Sequence, residues 1–156
     1  MTKEKSEQEL FYELTYYTTV HPDPSFIHQH AVDAFAAQIA DENTKPVTIT
    51  FALVGLYLLI EKNFSGKEVQ NAHVKLAKHR KRWPKFNLPK ERGNITIRDV
   101  ISIPPGSKRD EFIFKWCKTV WDAYIESHEK VAYLLCTELW KEKINTDKAV
   151  KNLKNY

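Results

Sequence analysis

The sequence predicts an all-α fold, a single-domain bundle of about five or six helices around one buried central helix. Three observations carry that expectation. Ser/Thr residues followed three positions later by an acid recur at Ser6–Glu9, Ser65–Glu68, Thr96–Asp99 and Ser107–Asp110, the pattern by which a hydroxyl and a carboxylate satisfy the open N–H groups of a helix start. Apolar residues behind these signals return at three- and four-residue spacing. Finally, Ala52 to Ile60 is apolar on every side, which is too long for a typical strand and suits a helix covered all round.

In chain order, Ser6 and Glu9 open a first helix whose stripe is Leu10, Phe11, Leu14 and Tyr17, to about Thr19. Val20 to Pro22 breaks it. Asp23 is a good N-cap and Pro24 suits a first helical position, where no N–H is needed; this predicts a second helix from Asp23 to about Ile39. At about 100° per residue, Ile27, His28, Ala31, Val32, Ala34, Phe35, Gln38 and Ile39 share one broad face. His30 and Asp33 fall three apart on another flank, within reach of each other. The small Ala36, Ala37 and Ala40 permit that flank to be covered as well.

Asp41 to Pro46 reads as a loop, and a helix is predicted from about Thr48 to Lys62. Its first residues alternate, so Thr48-Ile49-Thr50 pairing with Ile95-Thr96-Ile97 as a two-stranded scrap is the competing reading. Asn63 to Ser65 turns the chain. The next helix runs to about Arg82, with Val69, Ala72, His73, Leu76, Ala77 and Arg80 inward and Lys67, Lys75, Lys78, Lys81 and Arg82 outward. Trp83 to Asn94, with two prolines and a glycine, is an extended loop. Thr96 caps a short helix to Ser102, and Pro104-Pro105-Gly106 stops it.

The last segment starts at Ser107 and carries a stripe of Phe114, Cys117, Val120, Trp121, Tyr124, Ile125, His128, Val131, Ala132, Leu135 and Leu139. A helix reaching Lys143 would be long for a small domain, so a bend is expected at Ser127-His128. Residues 1–144 are predicted to form the domain, and 145–156 a polar, frayed tail.

Composition narrows the classes. An apolar share of 42% and a charged share of 28% are those of an ordinary soluble protein. Met1 to Glu9 is polar, which predicts no secretory leader, and the longest apolar run is too short to span a bilayer. A cytoplasmic location follows as the expectation. On one continuous helix, Cys117 and Cys136 would stand roughly 28 Å apart, so two reduced, core-facing thiols are expected. The net charge of +4 allows an acidic partner without requiring one.

At His28-Gln29-His30-Ala31-Val32-Asp33-Ala34-Phe35 the chain resembles an uncharacterised family of small bacterial helical proteins, marked by a His-x-His-x-Val-Asp-Ala-aromatic signature. The likeness extends through His21-Pro22-Asp23-Pro24-Ser25-Phe26, Gly55-Leu56-Tyr57-Leu58, Phe64-Ser65-Gly66, Val69-Gln70 with His73, and Trp116-Cys117 with Val120-Trp121. It implies a helical fold and brings no established activity. It also implies that His28, His30, Asp33 and His73 are the family's polar positions. Relatives often carry a histidine where this chain has Leu59 and a basic residue near His128, and many distant ones a Cys-x-x-Cys pair that this chain lacks.

Three chemistries compete with plain packing. His28, His73 and His128 fall on inward stripes of three helices, the way bundle cores gather a divalent transition metal, with Asp33 or Glu61 as an oxygen ligand. Against this, each imidazole could be buried and satisfied by a carbonyl or a hydroxyl, and no H-E-x-x-H spacing occurs. His30 oriented by Asp33 could act as a base, although neither cysteine lies in a nucleophile motif; the plain reading is a surface pair. The cations Lys75, Lys78, Lys81, Arg82 and Lys85, interleaved with Trp83 and Phe86, could bind nucleic acid or simply be a solvated face. The leading expectation is a pocket between the second and fourth helices, where His28, His30, Asp33 and His73 bind a small molecule or metal ion. A homodimer with Trp140 at the contact is the structural alternative.

Overall fold

The computed structural model describes residues 4–20, 23, 25–79 and 82–139. Pro24, Arg80, Lys81, Trp140 and the expected tail lie outside them. Among the described residues there is no strand. The elements are α1 (Glu7–Val20), α2 (Ile27–Ile39), α3 (Pro46–Lys62), α4 (Gly66–His79), α5 (Ile97–Ser102), α6 (Ser107–Ala123), a 3-10 turn (Ile125–Ser127) and α7 (His128–Glu138). This is the expected all-α bundle, with one helix more because the last segment divides.

Two helices form its centre. α2 is packed by α1, α3, α4 and α6, and α3 by α2, α4, α6 and α7, while α5 ties α1 to α6. α3 starts two residues earlier than expected because Pro46 takes the first turn, where its missing N–H costs nothing. It is buried on nearly all sides, from Ile49 through Leu59. Asn63 ends it in the left-handed region (φ 56°), returning its N–H to the Leu58 and Leu59 carbonyls. Because Thr48, Ile49 and Thr50 are helical, the strand pairing with residues 95–97 does not form.

The start signals meet different fates. Ser65 and Glu68 make both arms of a capping box, Glu68 N–H to Ser65 Oγ at 3.1 Å and Ser65 N–H to Glu68 Oε1 at 3.0 Å. Thr96 and Asp99 do the same for α5. Ser65→Ala is expected to lower the unfolding free energy by about 1 kcal/mol, read as a shift in the urea midpoint at unchanged slope. Ser107, by contrast, does not cap α6. Gly106 takes that position at φ 134°, and the Asp110 carboxylate instead accepts the Tyr17 hydroxyl at 2.7 Å. Beside it Arg109, only 7% exposed, donates to the Ile101 and Ile103 carbonyls and lies over the Tyr17 ring. That cluster fastens α1 and α5 to the head of α6.

The break in the last segment falls at Tyr124 and the 3-10 turn, next to the expected Ser127-His128. Tyr124 sends its hydroxyl to the Ala37 carbonyl at 2.6 Å, which anchors the break to α2. Of the expected stripe Cys117, Val120, Trp121 and Tyr124 are buried, and Ile113 and Trp116 join them, whereas Phe114 and Ile125 are 38% and 68% exposed. Ala77 is exposed too. Cys117 and Cys136 are free thiols, but only Cys117 faces the core and Cys136 is exposed. No helix among the described residues is long and apolar enough to cross a membrane.

Candidate functional site on the second helix

α2 is reached through a tight lead-in. Its first helical residue is Ile27, three residues later than the expected Pro24, and the residue before it, Phe26, sits in the left-handed region (φ 57°, ψ 59°). A bulky residue seldom adopts that conformation. Asp23 holds it there: its carboxylate accepts the N–H of Ser25 at 2.7 Å, the N–H of Ile27 at 2.8 Å, and the Ser25 hydroxyl. Asp23 therefore caps the helix from a distance rather than from within. Burial acts against its charge, but these hydrogen bonds prevail and hold the carboxyl below its ordinary value. Gly66 at the head of α4 makes room for this loop, since a Cβ there would lie 1.7 Å from the Phe26 carbonyl oxygen.

The four expected pocket residues do not share one cavity wall. His28 is half-buried and pairs through Nδ1 with Thr18 Oγ1 on α1 at 2.9 Å. His73 is buried, bonds the Phe51 carbonyl of α3 through Nε2 at 2.8 Å, and stacks on the Phe51 ring at 4.9 Å. Burial lowers the proton affinity of both imidazoles. The metal trio His28, His73 and His128 is likewise separated. His128 bonds the Trp121 carbonyl at 2.7 Å and stacks on the Trp121 ring at 3.7 Å, while Glu61 accepts the Trp121 indole N–H at 2.8 Å. Each ring is satisfied by its nearest neighbour, and no cluster of three His, Cys, Asp or Glu able to hold a metal occurs among the described residues.

His30 and Asp33 behave differently. Instead of forming a surface pair they are buried, 1% and 3% exposed, because α3 and α6 cover the flank that carries them. They do not bond each other. Asp33 Oδ1 accepts from Gln29 Nε2 at 3.1 Å, but Asp33 Oδ2 and His30 Nδ1 have no hydrogen-bond partner among the described residues. Buried polar atoms are nearly always partnered, so two such atoms three residues apart on one helix mark this place above any other described.

The surroundings are close. A Cβ at Gly55 of α3 would lie 1.8 Å from Asp33 Oδ2, so the carboxyl occupies the space a side chain would fill. From α6, the Cys117 thiol donates to the His30 carbonyl at 3.5 Å, and the Phe114 ring lies 5.7 Å from the His30 ring. Phe114 is 38% exposed, so His30 stands one side chain below the surface. Four surface cavities lined by described residues, about 270 to 310 Å3 each, include neither His30 nor Asp33. Burial pushes the His30 pKa down to about 4, against a smaller opposing effect of the Asp23 charge. Burial raises Asp33 well above its ordinary value, the Gln29 bond only partly offsetting it. Burial above all raises the Cys117 thiol, which leaves it a poor nucleophile at neutral pH.

The basic run changes meaning in three dimensions. Lys75, Lys78, Arg82 and Lys85 are exposed, while Lys81 lies outside the described residues. The aromatics between them turn inward: Phe86 is 9% exposed with Lys130 over its ring, and Trp83 meets Phe51 edge to face. Neither Trp83 nor Phe86 is left standing among the described cations for a base to stack on.

Fold and site together define an all-α bundle with a buried, incompletely hydrogen-bonded polar pair on its second helix. The chain belongs to DUF5946, a family of unknown function whose model matches residues 3–125. That span holds α1 to α6 and the His30–Asp33 pair, and His128 lies beyond it. No curated protein and no solved structure matches the chain.

Proposed function

We propose that this protein is a helical binding domain whose recognition element is the first half of α2, where His30 and Asp33 hold a small polar ligand between α2, α3 and α6. The observation that supports it is the pair of unpartnered atoms, His30 Nδ1 and Asp33 Oδ2, in side chains almost wholly removed from solvent. Leaving such groups unmade costs about 1–3 kcal/mol each, and sites that tolerate this are where a guest gains most. The left-handed Phe26 just before the helix adds to the argument, since backbone held in sparsely populated regions gathers at functional sites. Of the four residues first grouped as ligand-binding, His28 and His73 shape the walls through their own bonds to Thr18 and Phe51. The cations at 75–85 serve as a solvated face in this reading.

Chemical-shift mapping of the full chain with a mixed set of small polar solutes tests it. The amides of residues 29–33, 55 and 114–117 are expected to move together and saturably. If no solute of any charge moves them, the reading fails. Phe114→Ala, which removes the ring between His30 and solvent, is expected to speed guest exchange measured by line shape while leaving the fold intact.

A further inference from the structure

We infer that the ligand is uncharged and carries a hydrogen-bond acceptor for Asp33 Oδ2 beside a polar group for His30 Nδ1, the chemistry of a carboxamide or an alcohol. This rests on the binding role just proposed and adds the class of molecule bound. Asp33 sets the first requirement. It is 3% exposed; among the described residues its one side-chain hydrogen bond comes from the neutral Gln29 amide and no ion pair reaches it. A bare carboxylate so placed would be expensive, and the group keeps its proton instead. Because Oδ1 already accepts from Gln29, the proton belongs on Oδ2, which makes that atom a donor looking for an acceptor.

The other groups named around the site, Asp23 apart, carry no charge either. His30 is neutral at physiological pH, and the Cys117 thiol keeps its proton while donating to the His30 carbonyl. On α3 the neighbour is Gly55, with no side chain at all. The one ionised neighbour that His30 senses is Asp23, whose oxygens are occupied by Ser25 and Ile27. A charged guest would lose its hydration and gain no counter-charge. A neutral guest with one acceptor and one further polar group would satisfy both open atoms.

Three titrations of the full chain decide this, with acetamide, acetate and methylammonium as probes, following the amides of residues 29–33 and 55. Acetamide is expected to bind and the two ions not to. Asp33→Asn is the informative variant, because its amide N–H donates just as the protonated acid does; acetamide affinity should stay within about twofold. Asp33→Leu removes the donor and should weaken acetamide roughly tenfold, about the worth of one hydrogen bond; should it not fold, the Asn variant and the probe series still decide. Binding of acetate or methylammonium in preference to acetamide, or loss of acetamide binding in Asp33→Asn, would overturn the inference while leaving a binding site in place. If none of the three probes binds, as for a site holding water only, the inference and the binding role fall together.

Discussion

Gly55→Ala is expected to lower stability by about 2 kcal/mol, against the usual trend for glycine within a helix. Replacing such a glycine by alanine normally gains up to about 1 kcal/mol of helix propensity. Here the new methyl would stand 1.8 Å from Asp33 Oδ2 and 2.5 Å from its Cγ. Asp33 is short and buried, so the clash must be relieved by parting α2 from α3, and overpacking of this kind costs about 1–3 kcal/mol. The decisive experiment is the double variant. Asp33→Ala removes the obstructing carboxyl, and in that background Gly55→Ala should become neutral or stabilising, a coupling of roughly 2 kcal/mol in a urea-denaturation cycle. Additive effects would show that the carboxyl does not occupy the Gly55 space.

The pH dependence of stability is the second large effect, and it is hidden in the native sequence. His30 titrates near 4 when folded and at 6.5 as a free side chain. Between those values the unfolded chain binds the extra proton, so this group makes stability rise with pH, by about 3 kcal/mol across the window. Asp33 acts in the opposite sense. Its folded value lies well above 3.8, so from pH 3.8 upward the folded chain holds the extra proton until the folded carboxyl itself titrates, and over that range stability falls as pH rises. Where the two ranges overlap the opposing slopes offset each other, so the native protein shows a weaker pH dependence than the variant lacking the Asp33 carboxyl. Asp33→Asn should uncover the His30 slope, with stability climbing by about 3 kcal/mol from pH 4 to 6.5. His30→Gln should uncover the reverse, a decline that starts above pH 3.8. Chemical denaturation at half-unit pH steps reads both; a variant with the same profile as the native protein would mean that the corresponding side chain is not buried in the state assigned to it.

Much of the architecture is legible in the chain because its signals are local. The boxes at Ser65–Glu68 and Thr96–Asp99 are closed within four residues, and the all-round apolarity of residues 52–60 leaves α3 no exposed side to choose. That the last segment breaks follows from its length, but its place at Tyr124 rather than Ser127-His128 does not. What escapes is set by neighbours that one helix cannot announce. A wheel of α2 places His30 and Asp33 off the apolar face, yet α6 covers that flank and buries them; the alanines at 36, 37 and 40 were the one hint that something could approach. The histidines at 28, 73 and 128 stand on inward stripes as expected, but their partners are a hydroxyl on α1 and the carbonyls of Phe51 and Trp121. Backbone carbonyls carry no mark in a sequence, so convergence of the three rings could be imagined from periodicity but not tested by it. Likewise Asp23 looks like an ordinary N-cap, because nothing local reveals that Phe26 will take a left-handed turn between it and the helix.

The account depends on what meets two atoms, His30 Nδ1 and Asp33 Oδ2. A high-resolution crystal structure of the full chain grown with acetamide addresses this most directly. The prediction is a guest within hydrogen-bond distance of both atoms, with Gln29 still bonded to Asp33 Oδ1 and no cation nearby. The contradiction would be the same two atoms partnered by the protein itself, through a bond between His30 and Asp33 or to neighbouring backbone, with nothing bound between α2, α3 and α6.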